Sequence, residues 1–131
     1  MSGPAWITTE GVIAIQEDLL ARFGGMAGVR DPGLLESAMH LPRQLSHYGS
    51  PSPFDLAAAY ASGIVRNHPF FDGNKRTGFM AAYVFLGLNG YEIDTTEEDL
   101  VIHTVALAAG DIDAAAYAQW LGRVSVPPSQ K

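Results

Sequence analysis

Nine consecutive residues, His68-Pro69-Phe70-Phe71-Asp72-Gly73-Asn74-Lys75-Arg76, set five polar or ionisable side chains against the start of the most apolar stretch in the chain. A structural sequence avoids that juxtaposition, so the polarity calls for a chemical reason. Proline at 69 ends one helix and the following glycine opens another, which puts the first turn of a helix at Gly73-Asn74-Lys75. The leading N–H groups of a helix have no intrahelical partner and its dipole favours an anion, so this turn is a candidate phosphate cradle. Glycine at 73 lets the backbone approach a ligand closely. Lys75 and Arg76 stand in the first turn, where Asp and Glu are normally preferred, and a bound polyanion resolves that conflict. Asp72 at the mouth of the turn is a hard oxygen ligand suited to a magnesium ion that shares its shell with phosphates and water. His68, with an unperturbed pKa of about 6.5, is the neighbouring group able to accept a proton near neutrality. Base, metal carboxylate and anion nest together describe transfer of a phosphorus-containing group to a hydroxyl.

Each residue taken alone also has a plain structural use. His68 could cap the C-terminus of the preceding helix, Asp72 could be an N-cap, and Lys75 and Arg76 could be solvated surface cations. It is the constellation that carries the argument. His40, His47 and His103 stand apart without metal-ligand spacing and read as structural or surface residues. Arg66 reads as a helix-end cation and Glu36 as structural, while Arg30 could approach the site from beside the Asp31-Pro32 helix cap. No Walker A sequence, protein-kinase loop set or Gly-x-Ser-x-Gly elbow occurs.

The elements that must position these groups read as helices joined by short connections, since helix starts recur and no stretch sustains a two-residue alternation. Thr8 caps a first helix to about Arg22, with Val12, Ile15, Leu19 and Phe23 on one face and Gly24-Gly25 as its stop. Asp31-Pro32 opens a second to about His40, which Pro42 is expected to end. Residues 42–52 then form the longest loop, a candidate flap. Ser52-Pro53 with Asp55 opens a third helix to Asn67, and the fourth, Asn74 to Leu88, is apolar nearly all round and so expected to be central. A capping box at Thr95 and Glu98 opens a fifth to Ala109, and Asp111 or Asp113 a sixth to near Gly122, anchored by Trp120. The fold class is all-α, a bundle of about six helices around a central buried helix, with one domain over residues 1–123 and a mobile tail over 124–131.

Composition bounds the reading. The 131 residues, 47% hydrophobic and 17% charged, suit one core and exclude two domains. The absence of cysteine excludes disulfide scaffolds, thiolate zinc sites and thiol nucleophiles, and is compatible with a reducing cytoplasm. Fourteen acidic against eight basic residues, net −6, without a Lys/Arg cluster, argue against direct nucleic-acid binding. No signal-like start and no apolar run of membrane-spanning length appear, so a soluble cytoplasmic protein without a membrane partner is expected.

The run H-P-F-F-D-G-N-K-R-T closely resembles the core motif of the Fic/Doc family, and specifically its Doc (death-on-curing) branch. AMP-transferring Fic proteins carry H-P-F-x-D/E-G-N-G-R-x-x-R, whereas here Lys75 stands for the second glycine and Phe79 for the final arginine, as in Doc toxins. The similarity extends to G-V-R-D-P-G-L-L-E-S-A from Gly28, to F-L-G-L-N-G-Y from Phe85, and to the Trp120-Leu121 ending. The resemblance implies the toxin of a type II toxin-antitoxin pair that moves the γ-phosphate of ATP to a threonine of elongation factor Tu and arrests translation, with a Phd-like antitoxin as partner. It implies that His68 activates the hydroxyl, Asp72 binds Mg2+, Gly73, Asn74, Lys75 and Arg76 hold the nucleotide phosphates, and loop 42–52 docks the target. Protein AMP transfer and a catalytically idle partner-binding module are the alternatives.

Overall fold

The computed structural model describes residues 3–127. Six helices follow in order: α1 (Thr9–Phe23), α2 (Pro32–His47), α3 (Pro53–Asn67), α4 (Asn74–Leu88), α5 (Glu97–Ala109) and α6 (Ala114–Val124). Two short strands, β1 (Glu92–Ile93) and β2 (Ser125–Val126), pair antiparallel with Glu92 opposite Val126 and Ile93 opposite Ser125. The fold is all-α apart from this single ladder.

The central helix is α3, rather than α4 as the hydropathy suggested. Residues Leu56 to Ala61 and Gly63 to Val65 are buried, and α3 touches α2, α4, α5 and α6. The reason is side-chain size: Ala57, Ala58, Ala59 and Ala61 let neighbours close in from several directions, which a helix of large apolar residues does not allow. Two glycines mark the tightest approaches. A Cβ on Gly63 would come within 3.0 Å of the Ala38 Cβ, and one on Gly78 within 2.5 Å of Val65 Cγ1 and 3.1 Å of the Ala61 carbonyl. Gly78 therefore sets how close α4 lies to α3, and with it the spacing between the elements that carry His68 and Lys75. The outer side of α4 is open, with Tyr83 and Leu88 exposed.

Pro42 does not end α2. The helix runs through it to His47, so the expected flap at 42–52 shrinks to residues 48–52. A proline inside a helix forfeits one N–H and costs about 3 kcal/mol. Here Leu35, Ala38, Met39 and Pro42 form one buried face, and packing of that face offsets the loss. The longest connection lacking helix or strand is residues 24–31, and it lies against the His68 loop through an antiparallel bridge between Val29 and Phe70.

Smaller differences have local causes. The N-cap of α5 is Thr96, whose side chain accepts from the Asp99 N–H, while Thr95 donates to the Asp99 carboxylate from one position outside. The buried face of α1 is Val12, Gln16 and Leu19, and Phe23 is exposed. Asp113 caps α6, which ends at Val124, and the β1 pairing holds Ser125 and Val126 where a loose tail was expected. Residues 128–131 of that tail lie outside the described residues.

Between α5 and α6 the Tyr117 hydroxyl sits 2.8 Å from Thr104 Oγ1, and burial pushes the phenol up to about 12. The folded state thus favours the neutral phenol. Its contribution is fully present below the ordinary tyrosine value of about 10 and is lost as pH rises through about 12, a span worth roughly 2–3 kcal/mol. Urea unfolding from about pH 8 to about pH 11 should show falling stability, and Tyr117→Phe should flatten that decline; an equal slope in the variant would assign the alkaline loss to other groups.

Candidate active site

Five of the six helices begin with a side-chain cap: Thr8, Asp31, Ser52, Thr96 and Asp113 each accept a backbone N–H of the first turn. The exception is α4. Its N-cap is Gly73 in the left-handed region at φ 77°, without a side-chain hydrogen bond, and its first turn holds no acidic residue. Bare amides at the positive end of the dipole therefore coincide with Lys75 and Arg76. Neither cation forms an ion pair among the described residues. The Arg76 guanidinium lies 4.1 Å over the Phe23 ring, which explains why Phe23 at the end of α1 is left exposed.

These groups face a cleft of about 630 Å³. Its polar wall is His68, Asp72, Gly73, Asn74, Lys75 and Arg76, so the structure brings all six expected residues to one cavity. The remaining wall is mostly apolar, formed by Phe79 and Met80 of α4 with Leu100, Val101 and Val105 of α5, and it also includes Glu97 and Thr104 of α5. Phe79 is almost fully buried, with its ring 6.1 Å from that of Tyr83.

His68 caps the C-terminus of α3 at φ 51° and ψ 56°, the one non-glycine residue with positive φ among those described. A histidine in the left-handed region is strained, and the loop after it is held from two sides. From within, the Asn74 side chain binds both polar backbone atoms of Phe70: Oδ1 accepts its N–H at 3.0 Å and Nδ2 donates to its carbonyl at 3.0 Å. The same Nδ2 lies 3.5 Å from His68 Nδ1. From outside, the Arg30 and Asp31 N–H groups both donate to the Pro69 carbonyl, at 2.7 and 3.0 Å, and Phe71 N–H donates to the Gly28 carbonyl. The buried side chain of Asn74 therefore builds the histidine loop.

Asp72 is exposed, and its Oδ2 accepts the Met26 N–H at 2.6 Å while its carbonyl accepts from Gln16 Nε2 at 3.2 Å. A Cβ on Gly25, at φ 123°, would come within 3.2 Å of the Asp72 Cβ, so this glycine lets the 24–31 connection press on the carboxylate. The second carboxylate oxygen remains for a cation. Among the described residues no three His, Asp or Glu side chains gather to hold a metal by themselves, so Asp72 fits a magnesium ion that completes its shell with phosphate oxygens and water. Gln16 and Met26 escaped sequence reasoning; a polar residue on the α1 stripe was the available signal for Gln16, and a backbone donor such as Met26 leaves none.

The remaining candidates lie elsewhere. His40 borders a separate cavity with Glu36 and Arg43, and His47 ends α2. His103 stacks on Trp120 at 4.5 Å and contacts Asp99. The Arg66 guanidinium packs 3.6 Å from the position a Cβ on Gly110 would occupy, at the C-terminal cap of α5 rather than at the end of its own helix.

Asn74→Ala should leave the buried Phe70 N–H and carbonyl without partners, at a cost of about 1–3 kcal/mol. Hydrogen exchange at the Phe70 amide should accelerate in the variant, and unaltered protection there would mean that the loop is held without this side chain.

The sequence model of the Fic/DOC family matches residues 6–86. A relative named protein kinase doc, from Escherichia phage P1, is 32% identical over 119 residues, covering 90% of this chain and 94% of its own. Another, named toxin Doc, from Mycolicibacterium smegmatis, is 39% identical over 114 residues, covering 77% of this chain and 85% of its own. The match takes in α1 to α4 with the whole polar wall of the cleft, and the relatives extend it over most of the remaining bundle: the chain belongs to the Fic/DOC family, on the side of the Doc toxins.

Proposed function

We propose that the chain is a Doc-type toxin acting as a protein phosphotransferase, which moves the γ-phosphate of ATP to a threonine hydroxyl of a translation factor, elongation factor Tu, and so arrests translation. The observation that carries this reading is the uncapped, doubly cationic N-terminus of α4 opening on a cleft that also holds His68 and Asp72. The printed name of the phage relative, a protein kinase, supports the same reaction class.

In this reading the α4 N–H groups, Lys75 and Arg76 hold the triphosphate and the negative charge that spreads over the transferred group. His68 takes the hydroxyl proton as the oxygen bonds to the γ-phosphorus and the bond to the β-phosphate oxygen breaks, releasing ADP. Asp72 would hold Mg2+, which supplies charge neutralisation between phosphates. The apolar wall of α5 shields the reacting groups from water.

Phosphate transfer is favoured over AMP transfer by Lys75 and Phe79. The lysine fills with a point charge the space that a glycine leaves to the phosphate chain, and the buried phenylalanine offers no donor for the terminal phosphates. The triphosphate then lies with its γ-phosphorus toward the hydroxyl. A Phd-like antitoxin restrains the enzyme by docking a segment that folds on binding, and the exposed apolar residues Val101, Ile102 and Val105 beside the cleft support such a partner. Among the described residues no helix is long and apolar enough to cross a membrane. A cytoplasmic location suits the proposed target.

His68→Ala should lower transfer by about 10² to 10⁴ with unchanged melting. Asp72→Asn, which retains an acceptor for the Met26 N–H, should be inactive. Wild-type rates in the first variant, or an unaltered magnesium dependence in the second, would move those roles elsewhere.

Incubation with ATP, Mg2+ and a bacterial lysate, followed by mass spectrometry, tests the reaction itself. A phosphate increment on a threonine of elongation factor Tu is the expected product. An AMP increment overturns the phosphotransfer reading, and an unmodified lysate supports an idle module.

A further inference from the structure

Resting on the phosphotransfer reading of the cleft, we propose that Arg30 is the positioning residue that holds the general base, fixing the strained backbone of His68 from outside the site. Its Nε donates to the His68 carbonyl at 2.7 Å and a terminal nitrogen donates to the Asn67 carbonyl at 3.0 Å. Two adjacent carbonyls at the C-terminus of α3 are thus gripped by one guanidinium reaching from 38 residues earlier in the chain.

Arg30 is exposed and both bonds lie at the surface, and three features make them a constraint on the imidazole. The left-handed conformation of a residue with a Cβ is disfavoured and needs surroundings that over-determine it. His68 is the one such residue described, and the direction of the Cα–Cβ bond that carries its ring follows from its own φ and ψ. Second, the carbonyls are the negative end of the α3 dipole, where a cation with a rigid fork satisfies two acceptors at once. Arg66, the basic residue in the last turn of α3, is turned to Gly110 instead, so the fork comes from Arg30. Third, the backbone of the same connection is committed to the same loop, through Arg30 N–H and Asp31 N–H on Pro69 and the Val29–Phe70 bridge. Arg30 does not line the cleft. It reaches the chemistry only through the histidine.

Arg30→Met keeps the side-chain stem and removes both donors; Arg30→Lys keeps the charge with a single donor site. In the ligand-free full chain, the imidazole carbon-proton NMR signals of His68, identified by their loss in His68→Ala, should shift and broaden in Arg30→Met and take an intermediate position in Arg30→Lys. With ATP and the protein target, kcat of Arg30→Met should fall about 10- to 100-fold while KM for ATP holds, with partial recovery in Arg30→Lys. Unmoved His68 signals in Arg30→Met, at a temperature where both chains are folded, overturn the proposal, as does a loss expressed mainly in KM for ATP. Should the wild type prove inactive toward ATP while the His68 signals still move, positioning by Arg30 stands and the phosphotransfer reading falls.

Discussion

The Asn74 carboxamide, closed on the N–H and carbonyl of Phe70, is the interaction on which the rest of the site depends. Asn74 is the first residue of α4, and Phe70 follows the end of α3 by three positions. Joining them with two hydrogen bonds in a buried setting turns six connecting residues into a rigid corner between the two helices. One side of that corner presents the imidazole of His68, and the other presents the free amides of α4. A buried bond pair of this kind is costly to break, because each abandoned backbone group loses water as well as its partner.

The corner is also where the charge of the molecule is least typical. The chain carries net −6, yet the start of α4 has two cations and no acid. Its uncapped amides add a third source of positive potential. In a protein with this balance, such a concentration beside the cleft is the feature on which the proposed phosphate site rests. Asp72 tempers it without neutralising it, since the Met26 N–H engages one of its oxygens. The 24–31 connection therefore steers the site from outside, with one end on the carboxylate and the other on the histidine loop.

Packing sets the distances over which these charges act. α3 can be central because five of its nine buried residues are alanine or glycine, and α4 can lie close because residue 78 is glycine. Hydropathy pointed to α4 as the central helix, since it weighs apolar content and ignores side-chain size; Ala57, Ala58, Ala59, Ala61 and Gly63 are what let neighbours approach α3 from several sides. Pro42 illustrates the same limit. Local propensity ends the helix there, and a buried face running from Leu35 to Pro42 overrides it.

Much was nonetheless settled by the sequence alone. Helix starts at Thr8, Asp31 and Ser52 follow from capping chemistry, which is local and depends on a few adjacent residues, while the choice of Asp113 over Asp111 fell to the structure. The polar wall was legible for the same reason: His68 to Arg76 are contiguous, so their gathering needs only one turn and one helix start. Tertiary structure alone decided what comes from afar. That Met26 and Gln16 hold Asp72, that Arg30 grips the end of α3, that α5 supplies the apolar wall and that Ser125 and Val126 pair with β1 all join residues far apart in the chain. Backbone donors carry no residue-type signature, and an apolar side chain reads the same whether it faces a core or a cleft, so only packing of the whole chain assigns them.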